Sequence, residues 1–538
     1  MKQIETDVII IGGGLAGMAA ALSAKAKGSS VTLICKSLAG HSGNSIVAGA
    51  GVSVYYPENA QNDTLELFRD DLFRSGNGIN DPRMVDRVLN SSNEVLSFLK
   101  ENGVRLRHFG DDLMVRRVGG HSTARFYYTD YSDKCFQTRG LSITEPVSTV
   151  VEREQISILN RASVIRLLRT NGRICGCICI DHYSGERFSV LAKSVVLAAG
   201  GGASLFEWTN NTTDVTCDSY RLALEAGARL RDMEYVQFYP CVLRVPIRMQ
   251  IEGSLFADGA VLRNSSGEAF MQRYSAKGDL ATRDEMAIAV QSEINAGRGA
   301  NNCIFVDCSG INEEVWKIKY REFTTTLRNH HIDVRKDLLM AAPAAHFYMG
   351  GICVNEDYSS DVSGLFACGE AVGGLHGANR LPGVALTEAV VSGRIAGRKA
   401  AEYAKETHQE NRLVIPDTKT VASGIDWKQE IRMLRSMAWK EVSIIRDETS
   451  IDRFEHFLDE RQEIIEGAKA GKEEDRRAYE YLSYHMTARM LALSAKARKE
   501  SRGAHYRKDF PEKDEAFTGS FICSLDQAGE IGLGFAHA

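Results

Sequence analysis

The chain has 538 residues, of which 44 % are hydrophobic and 25 % are charged, and its formal net charge is −5. This length exceeds what one hydrophobic core supports, so we expect two or three domains. No run of like charge stands out, which argues against nucleic-acid binding. The apolar stretch at residues 8–11 is far too short to span a membrane, and the lack of a secretory leader predicts a reducing cytoplasm.

The N-terminal segment predicts a dinucleotide-binding βαβ unit. A buried strand runs into a turn with Gly12, Gly14 and Gly17, and Leu15 and Ala16 lie between the last two, which matches the G-x-G-x-x-G spacing. The first two glycines allow the tight turn and a close approach to a pyrophosphate, and the third allows helix–strand packing. The N-terminus of the following alanine-rich helix attracts negative charge.

The second strand of this unit ends without the usual acidic residue. Cys35 and Lys36 stand where an aspartate or glutamate normally accepts the ribose hydroxyls. This argues against NAD and leaves the ribose contact unassigned. Two later strands, near residues 192–202 and 364–370, run into glycines and return to the same domain. The long gap between them predicts an inserted domain.

Two glycine-rich turns bring one histidine and one arginine together in the predicted site. His346 begins the first turn and Arg380 lies in the second. Glycines let the backbone approach a ligand closely, and an arginine fork holds a carboxylate through two parallel hydrogen bonds. The pattern favours an anionic substrate lying against a flat cofactor.

The twelve cysteines are scattered and show no spacing typical of haem, iron–sulfur or zinc sites. Cys175, Cys177 and Cys179 alternate, which predicts three side chains on one face of a strand rather than metal ligands. No metal site is expected.

From residue 5 to about residue 511 the chain resembles the flavoprotein subunit family of succinate dehydrogenase and fumarate reductase, which includes L-aspartate oxidase and soluble enoate reductases. Beside the N-terminal glycines, the motifs that carry this resemblance are residues 116–122 (RRVGGHS), 230–238 (LRDMEYVQF), 282–284 (TRD), 346–351 (HFYMGG), 377–381 (GANRL) and 500–505 (ESRGAH).

The resemblance implies an α/β fold: a Rossmann-like FAD-binding domain, an inserted α+β capping domain and a C-terminal helical domain. We expect the FAD-binding domain at residues 1–238 and 349–410, the capping domain at 239–348, and the C-terminal helical region and tail at 411–538. Apolar residues at helical spacing between 426 and 500 favour two or three helices there. The tail from 519 is predicted to form one or two strands of unassigned role.

FAD is the implied cofactor. The residues expected to contact it are Gly12, Gly14, Leu15, Ala16, Gly17, Cys35, Lys36, Ser42, Gly43, Asn44, Ser45, Ala48, Gly49, Ala50, Gly51, Ala199, Gly200, Gly201, Asp218, Glu370, Arg380, Gly383, Ala385 and Leu386. In membrane-bound relatives a histidine of the segment under the flavin is joined covalently to FAD. Aligned on Gly51, that position is Asn44, and His41 is three residues away, so noncovalent FAD is expected.

The resemblance also implies reduction of a carbon–carbon double bond. In similar reductases the flavin N5 gives a hydride to the activated bond and an arginine protonates the neighbouring carbon. Arg283 matches that arginine, although its pKa above ~12 makes it an unusual acid. Glu252 matches the glutamate of the proton relay. The arginine expected three residues later is replaced by Leu255, so protons need another path.

The substrate site keeps one of its two expected carboxylate contacts. His346 and Arg380 match the pair that grips one carboxylate and polarises the double bond. At the other end, Tyr239 replaces a histidine and Ile251 replaces a threonine. A buried carboxylate without partners costs several kcal/mol, and Tyr239 offers one hydrogen bond but no charge.

These changes predict an FAD-dependent oxidoreductase that acts on CH–CH bonds and reduces an α,β-unsaturated carboxylic acid other than fumarate. Two alternatives stay open. One is a fumarate reductase or succinate dehydrogenase-type subunit of an electron-transfer complex, and the other is an amino-acid oxidase similar to L-aspartate oxidase. We expect a small carboxylic acid as substrate and a separate electron donor or acceptor, such as an iron–sulfur subunit.

Overall fold

A computed structural model describes residues 2–59, 62–408, 424–462, 464–465 and 476–537. At its centre lies a parallel sheet of five strands in the order Leu365–Ala367, Ser194–Leu197, Val8–Ile11, Val31–Cys35 and Ser157–Asn160. The three middle strands are buried along their whole length, as expected for a parallel sheet covered on both faces. The predicted βαβ unit and the two late-returning strands are therefore confirmed.

Two helices pack closely against this sheet and against each other. Helix Leu15–Ala26 follows the glycine turn, and helix Val384–Glu406 follows the turn that carries Arg380. Their backbones approach so tightly that a Cβ atom on Gly393 would lie 2.3 Å from the carbonyl oxygen of Ala16. Small residues thus bring both N-termini toward the same edge of the sheet.

A second sheet of four strands extends the domain, in the order Lys2–Glu5, Arg187–Leu191, Arg173–Asp181 and Ala162–Thr170. Cys175, Cys177 and Cys179 are buried in the third of these strands, as the alternation predicted. Within the described residues, no group of three or more histidine, cysteine or acidic side chains is arranged to hold a metal ion.

The inserted unit has its own antiparallel sheet and its own hydrophobic core. Its strands run in the order Met249–Gln250, Val236–Leu243, Leu339–Tyr348, Ile304–Asp307 and Val261–Arg263, and its helices are Ser254–Ala257, Arg283–Asn295, Glu313–Lys319 and Arg321–Asn329. Buried residues of this core lie between Cys241 and Ala341, with one addition from outside, Phe136, whose ring meets Phe323.

In the described part of the C-terminal region, helices run over Trp427–Val442, Glu448–Asp459 and Arg476–Ala497, so the expected C-terminal helical region is confirmed. Strands Gly519–Leu525 and Ile531–His537 form a hairpin that joins Leu230–Arg231 and Gly351–Ile352 in one sheet. Arg498 is fully buried here and pairs with both Glu234 and Glu500.

The other helices are Leu65–Ser75, Pro82–Asn90, Glu94–Glu101, Leu141–Arg153 and Asp218–Glu225, and the other strands are Gly51–Ser53, His108–Phe109, Asp112–Leu113, Val115–Arg116, Phe126–Tyr128, Ile445–Arg446 and Tyr506–Arg507. Among the described residues no helix is both long and apolar enough to cross a membrane. The α/β fold class with an inserted unit and a C-terminal helical region is as predicted. The proposed boundaries stay predictions, and the one at residues 410–411 lies outside the described residues.

Candidate active site

One cavity of about 1000 Å³ runs from the glycine turn to the inserted unit. It is lined by all six residues predicted for catalysis and substrate binding: Arg283, Glu252, His346, Arg380, Tyr239 and Ile251. Most of the predicted cofactor residues line it as well. Gly17, Ala50 and Gly201 do not.

The three exceptions have structural reasons. A Cβ atom on Gly17 would lie 1.8 Å from the carbonyl oxygen of Gly12, so Gly17 serves helix–strand packing. Gly201 makes room for the Glu370 side chain, which a Cβ atom would meet at 2.5 Å. Ala50 is fully buried with φ = 52°. These three residues lie outside the cavity lining, and their contact with the cofactor stays a prediction.

The glycine turn presents a helix N-terminus to the cavity. Gly12 has φ = 116°, and a Cβ atom there would lie 2.2 Å from the carbonyl oxygen of Ala198, so only glycine fits. The N-cap residue Gly14 makes no side-chain cap, and Gly14, Leu15 and Ala16 all line the cavity. The positive end of a helix suits a pyrophosphate, and here Leu15 N also donates to Ser45 Oγ at 3.1 Å.

At the end of the second strand, Lys36 replaces the missing acid with a buried ion pair. Its Nζ atom lies 2.5 Å from Asp218 Oδ2 and 3.4 Å from Glu480 Oε1, and it also contacts Thr216. Asp218 therefore lies in the cavity wall beside Lys36, and it supplies the carboxylate that the strand itself lacks. Burial raises the pKa of the neighbouring Cys35 thiol to about 12, so it stays protonated.

The side chain of Asn44 is held by a polar network. Its amide donates to Asn211 Oδ1 at 2.9 Å and to Glu370 Oε2 at 3.1 Å. Tyr348 N donates to the other oxygen of Glu370, and burial raises the pKa of this carboxyl to about 7. His41 does not line the cavity; its side chain is half exposed and faces Glu145.

Two guanidinium groups, that of the buried Arg380 and that of the partly buried Arg283, share one amide oxygen at the substrate end of the cavity. Gln237 Oε1 accepts hydrogen bonds from Arg380 Nη2 at 2.9 Å and from Arg283 Nη1 at 3.2 Å. Gln237 Nε2 donates to Asn379 Oδ1 and to the Arg380 carbonyl, both at 2.9 Å. Neither arginine has a carboxylate within salt-bridge distance among the described residues, which leaves a concentrated positive charge for an anion.

Burial lowers the pKa values of the basic groups at this end of the cavity. It lowers the pKa of Arg380 to about 9, with the Arg283 charge acting in the same direction. Burial also lowers the pKa of Arg283. The pKa of His346 falls well below its usual value because of burial and the two nearby arginines, so His346 is neutral at pH 7.

Beside these groups, a hydrogen bond within the protein bounds the site. Tyr239 Oη donates to the Ile251 carbonyl at 2.9 Å, so the hydrogen bond that the sequence left available is already used. The Tyr239 ring packs edge-on against His346 and lies under the Arg283 guanidinium, at 4.9 Å. Leu255, which takes the place of the expected relay arginine, is fully buried and does not line the cavity.

Glu252 has a cationic neighbour that the sequence did not reveal. Burial raises the pKa of the Glu252 carboxyl, and Arg139 is the charge that most opposes this rise. Both residues line the cavity. Arg139 Nη1 donates to the Phe136 carbonyl at 2.7 Å, and the guanidinium stacks on the Phe136 ring at 4.1 Å.

Sequence reasoning missed Gln237, Asn210, Gln250 and Arg139. Gln237 lies within one of the motifs that carry the family resemblance, so its position was visible although its bridging role was not. Asn210 and Gln250 flank the Nδ1 atom of His346, at 3.1 Å and 3.4 Å. Nothing in the spacing of Arg139, 113 residues before Glu252 in a different predicted domain, points to this contact.

The cavity fits FAD. The N-terminus of helix Leu15–Ala26 would hold the pyrophosphate, Asp218 with Lys36 would hold the ribose end, and the Asn44–Glu370 network would lie beside the flavin.

Comparison with known proteins agrees. A family model described as FAD binding domain matches residues 7–386, and one described as Fumarate reductase flavoprotein C-term matches residues 431–532. The chain belongs to this flavoprotein family. It is an FAD-dependent oxidoreductase.

Similar proteins cover nearly the whole chain. An uncharacterized FAD-dependent oxidoreductase of Methanocaldococcus jannaschii is 34 % identical over 532 residues, 96 % of either protein. A fumarate reductase (CoM/CoB) subunit of Methanothermobacter marburgensis is 32 % identical, covering 94 % of this chain and 95 % of that protein. An L-aspartate oxidase of Caulobacter vibrioides is 31 % identical over 98 % of both.

Solved structures show the same fold. The FrdA chain of E. coli quinol fumarate reductase superposes with a TM-score of 0.89 at 24 % identity, covering 100 % of this chain and 97 % of that one. Mycobacterium smegmatis Sdh1 gives 0.84 at 26 % identity, covering 100 % and 94 %.

Proposed function

We propose that this enzyme reduces the C=C bond of an α,β-unsaturated carboxylic acid other than fumarate. One observation carries the proposal: the Arg283 and Arg380 guanidinium groups of the cavity wall meet on Gln237, and beside them the Tyr239 hydroxyl is already committed to the Ile251 carbonyl. Such a site binds one carboxylate strongly, whereas neither Tyr239 nor Ile251 offers a positive charge or a free hydrogen to a second one.

The residues divide the work between binding and proton transfer. Arg380 and His346 bind the carboxylate, which draws electron density from the carbon that accepts hydride. Reduced FAD, when bound, supplies that hydride. Arg283 delivers the proton to the neighbouring carbon, and its lowered pKa makes this transfer easier than from an exposed arginine. Gln237 fixes both guanidinium groups, and Glu252 returns a proton to Arg283.

A steady-state assay with a reduced dye and a panel of enoic acids tests this function. We expect monocarboxylic enoates to be reduced faster than fumarate. Arg380→Gln should raise KM by about 10- to 100-fold because a charge-assisted hydrogen bond is lost, while the FAD absorption spectrum stays unchanged. Fumarate turning over far faster than every monocarboxylic enoate would contradict the proposal.

FAD is, in this proposal, bound noncovalently. Asn44 stands where covalently flavinylated relatives have a histidine, its amide is committed to Asn211 and Glu370, and His41 faces away from the cavity. Acid precipitation of the purified protein should release all yellow colour into the supernatant. Flavin retained in the pellet would contradict this.

The electron donor is proposed to be a separate protein, such as an iron–sulfur subunit. This is supported by the similarity to the methanogen fumarate reductase chain, whose name marks it as one subunit of a larger enzyme. The alternative that the chain works as a fumarate reductase-type subunit shares this partner, and copurification of an iron–sulfur protein with the native enzyme would support both. The substrate panel then decides between them.

A further inference from the structure

The Tyr239 hydroxyl can act toward a ligand only as a hydrogen-bond acceptor. Tyr239 lies in strand Val236–Leu243, whose pairing with Met249–Gln250 brings Ile251 alongside. Its Oη–H group donates to the Ile251 carbonyl at 2.9 Å, and burial raises the pKa of Tyr239, so the proton stays on the hydroxyl. A phenol has one hydrogen to donate. Toward the cavity, Tyr239 is therefore an acceptor.

The groups around Tyr239 reinforce this polarity. The Ile251 side chain has no polar atom, and Glu252, the next residue, adds a carboxyl to the same cavity wall. Arg139, the cation nearest to Glu252, already donates to the Phe136 carbonyl and stacks on its ring. Tyr239 Oη and Glu252 thus add hydrogen-bond acceptors beside Ile251, whereas Arg283, whose guanidinium lies 4.9 Å from the Tyr239 ring, and Arg380 supply donors.

We propose that the substrate carries a hydrogen-bond donor, an amide N–H or a hydroxyl, at the end remote from its carboxylate, and that Tyr239 Oη accepts this hydrogen bond. The inference rests on the proposed enoate reduction and narrows its substrate class. A second carboxylate at this end would face the oxygen lone pairs of Tyr239 without a hydrogen between them. An ester would face them in the same way, without the charge.

Three derivatives of one carbon skeleton test the inference: the monoamide of fumaric acid, its monomethyl ester, and fumarate itself. The amide and the ester are both neutral at the far end, but only the amide donates. With the FAD-loaded enzyme and a reduced dye, we expect kcat/KM for the monoamide to exceed that for the ester by at least about tenfold, with fumarate below the amide.

Tyr239→Phe removes the acceptor and should bring the amide-to-ester ratio close to one. Tyr274→Phe, which alters a tyrosine that does not line the cavity, should leave the ratio unchanged. Binding of the saturated monoamide and monoester to the oxidised enzyme, followed by changes in the FAD absorption spectrum, gives the same comparison without turnover.

The outcomes separate the two claims. An ester reduced as well as the amide, or a ratio that survives Tyr239→Phe, would overturn the inference and leave enoate reduction intact. If no monocarboxylic enoate were reduced while fumarate was, both the proposed function and the inference would be overturned.

Discussion

At the scale of single residues, the protonation of His346 depends on two amides. The Nδ1 atom lies 3.1 Å from Asn210 Oδ1 and 3.4 Å from Gln250 Nε2, while the buried Asn210 Nδ2 has no partner. Turning the Asn210 amide over pairs its NH₂ group with Nδ1. The Asn210 amide then donates to the single lone pair of Nδ1, with Gln250 Nε2 3.4 Å away, which leaves the ring proton on Nε2 for a substrate carboxylate.

Asn210→Asp should make substrate binding depend on pH. The new carboxylate cannot donate, and its charge raises the pKa of His346, which lies well below its usual value in the native protein. KM should then be lowest at low pH, where His346 is charged, and rise as the pH passes the new pKa. Initial rates between pH 5 and 9 measure this. Asn312→Asp, at an exposed helix N-cap, is the control, and a flat KM profile in Asn210→Asp would contradict the assignment.

The charge of Arg139 should set the alkaline limit of turnover through Glu252. Protonated Glu252 is the form that returns a proton to Arg283, so kcat should fall as the pH rises above the Glu252 pKa. Arg139 opposes the rise of that pKa. Arg139→Met should therefore raise the pH at which kcat falls by about one pH unit. Arg139→Lys should leave that pH unchanged. An unchanged or lower pH for this fall in Arg139→Met would show that the two groups are not coupled.

At the scale of elements, sequence patterns predicted what depends on local spacing. The glycine turn, the buried strands, the alternating cysteines and the C-terminal helices all follow from periodicities of two to four residues or from the conformational needs of glycine. The packing role of Gly17 follows from the fingerprint itself, whereas Gly201 was expected only at the ligand, because sequence cannot tell a glycine that faces a cavity from one that makes room behind it. The bridging by Gln237 and the approach of Arg139 to Glu252 depend on tertiary contacts, which no spacing encodes.

Lys36 follows strand Val31–Cys35 and pairs with two carboxylates. Asp218 begins helix Asp218–Glu225, and Glu480 lies in the C-terminal helix Arg476–Ala497. Lys36→Met should destabilise the protein by about 3–5 kcal/mol, because it leaves buried carboxylates without a counter-charge. It should also weaken retention of FAD. Chemical denaturation and flavin release on dilution measure the two effects. The control, Lys27→Met, removes an exposed pair with Glu402 and should cost less than about 1 kcal/mol; equal losses in the two variants would contradict this role.

At the scale of the whole molecule, a buried ionic cluster ties the C-terminal region to the base of the inserted unit. Arg498 pairs with Glu234 at 2.6 Å and with Glu500 at 2.9 Å, and Arg502 pairs with Glu500 at 2.7 Å. Arg502 and His505, from the motif at residues 500–505, do not line the cavity.

Arg498→Met should lower the free energy of unfolding by about 3–5 kcal/mol, since it leaves the buried Glu234 carboxylate without a counter-charge, while Glu500 keeps its pair with Arg502. Urea denaturation followed by tryptophan fluorescence measures this. Replacing Arg498 and Glu234 together by Met and Gln should recover part of the loss. A single variant as stable as the native chain would mean that the cluster contributes nothing to folding.

Phe136 belongs by sequence to the FAD-binding part, yet it completes the core of the inserted unit, and Arg139 stacks on its ring. If the inserted unit moves away from the flavin, Phe136 must either leave that core or move with the unit, together with the loop that carries Phe136. If Phe136 leaves the core, Arg139 and Glu252 separate, and the path for proton transfer is interrupted whenever the site is open to solvent. One hinge position would then open the site to solvent and the other would connect the path for protons, so the two could not occur together.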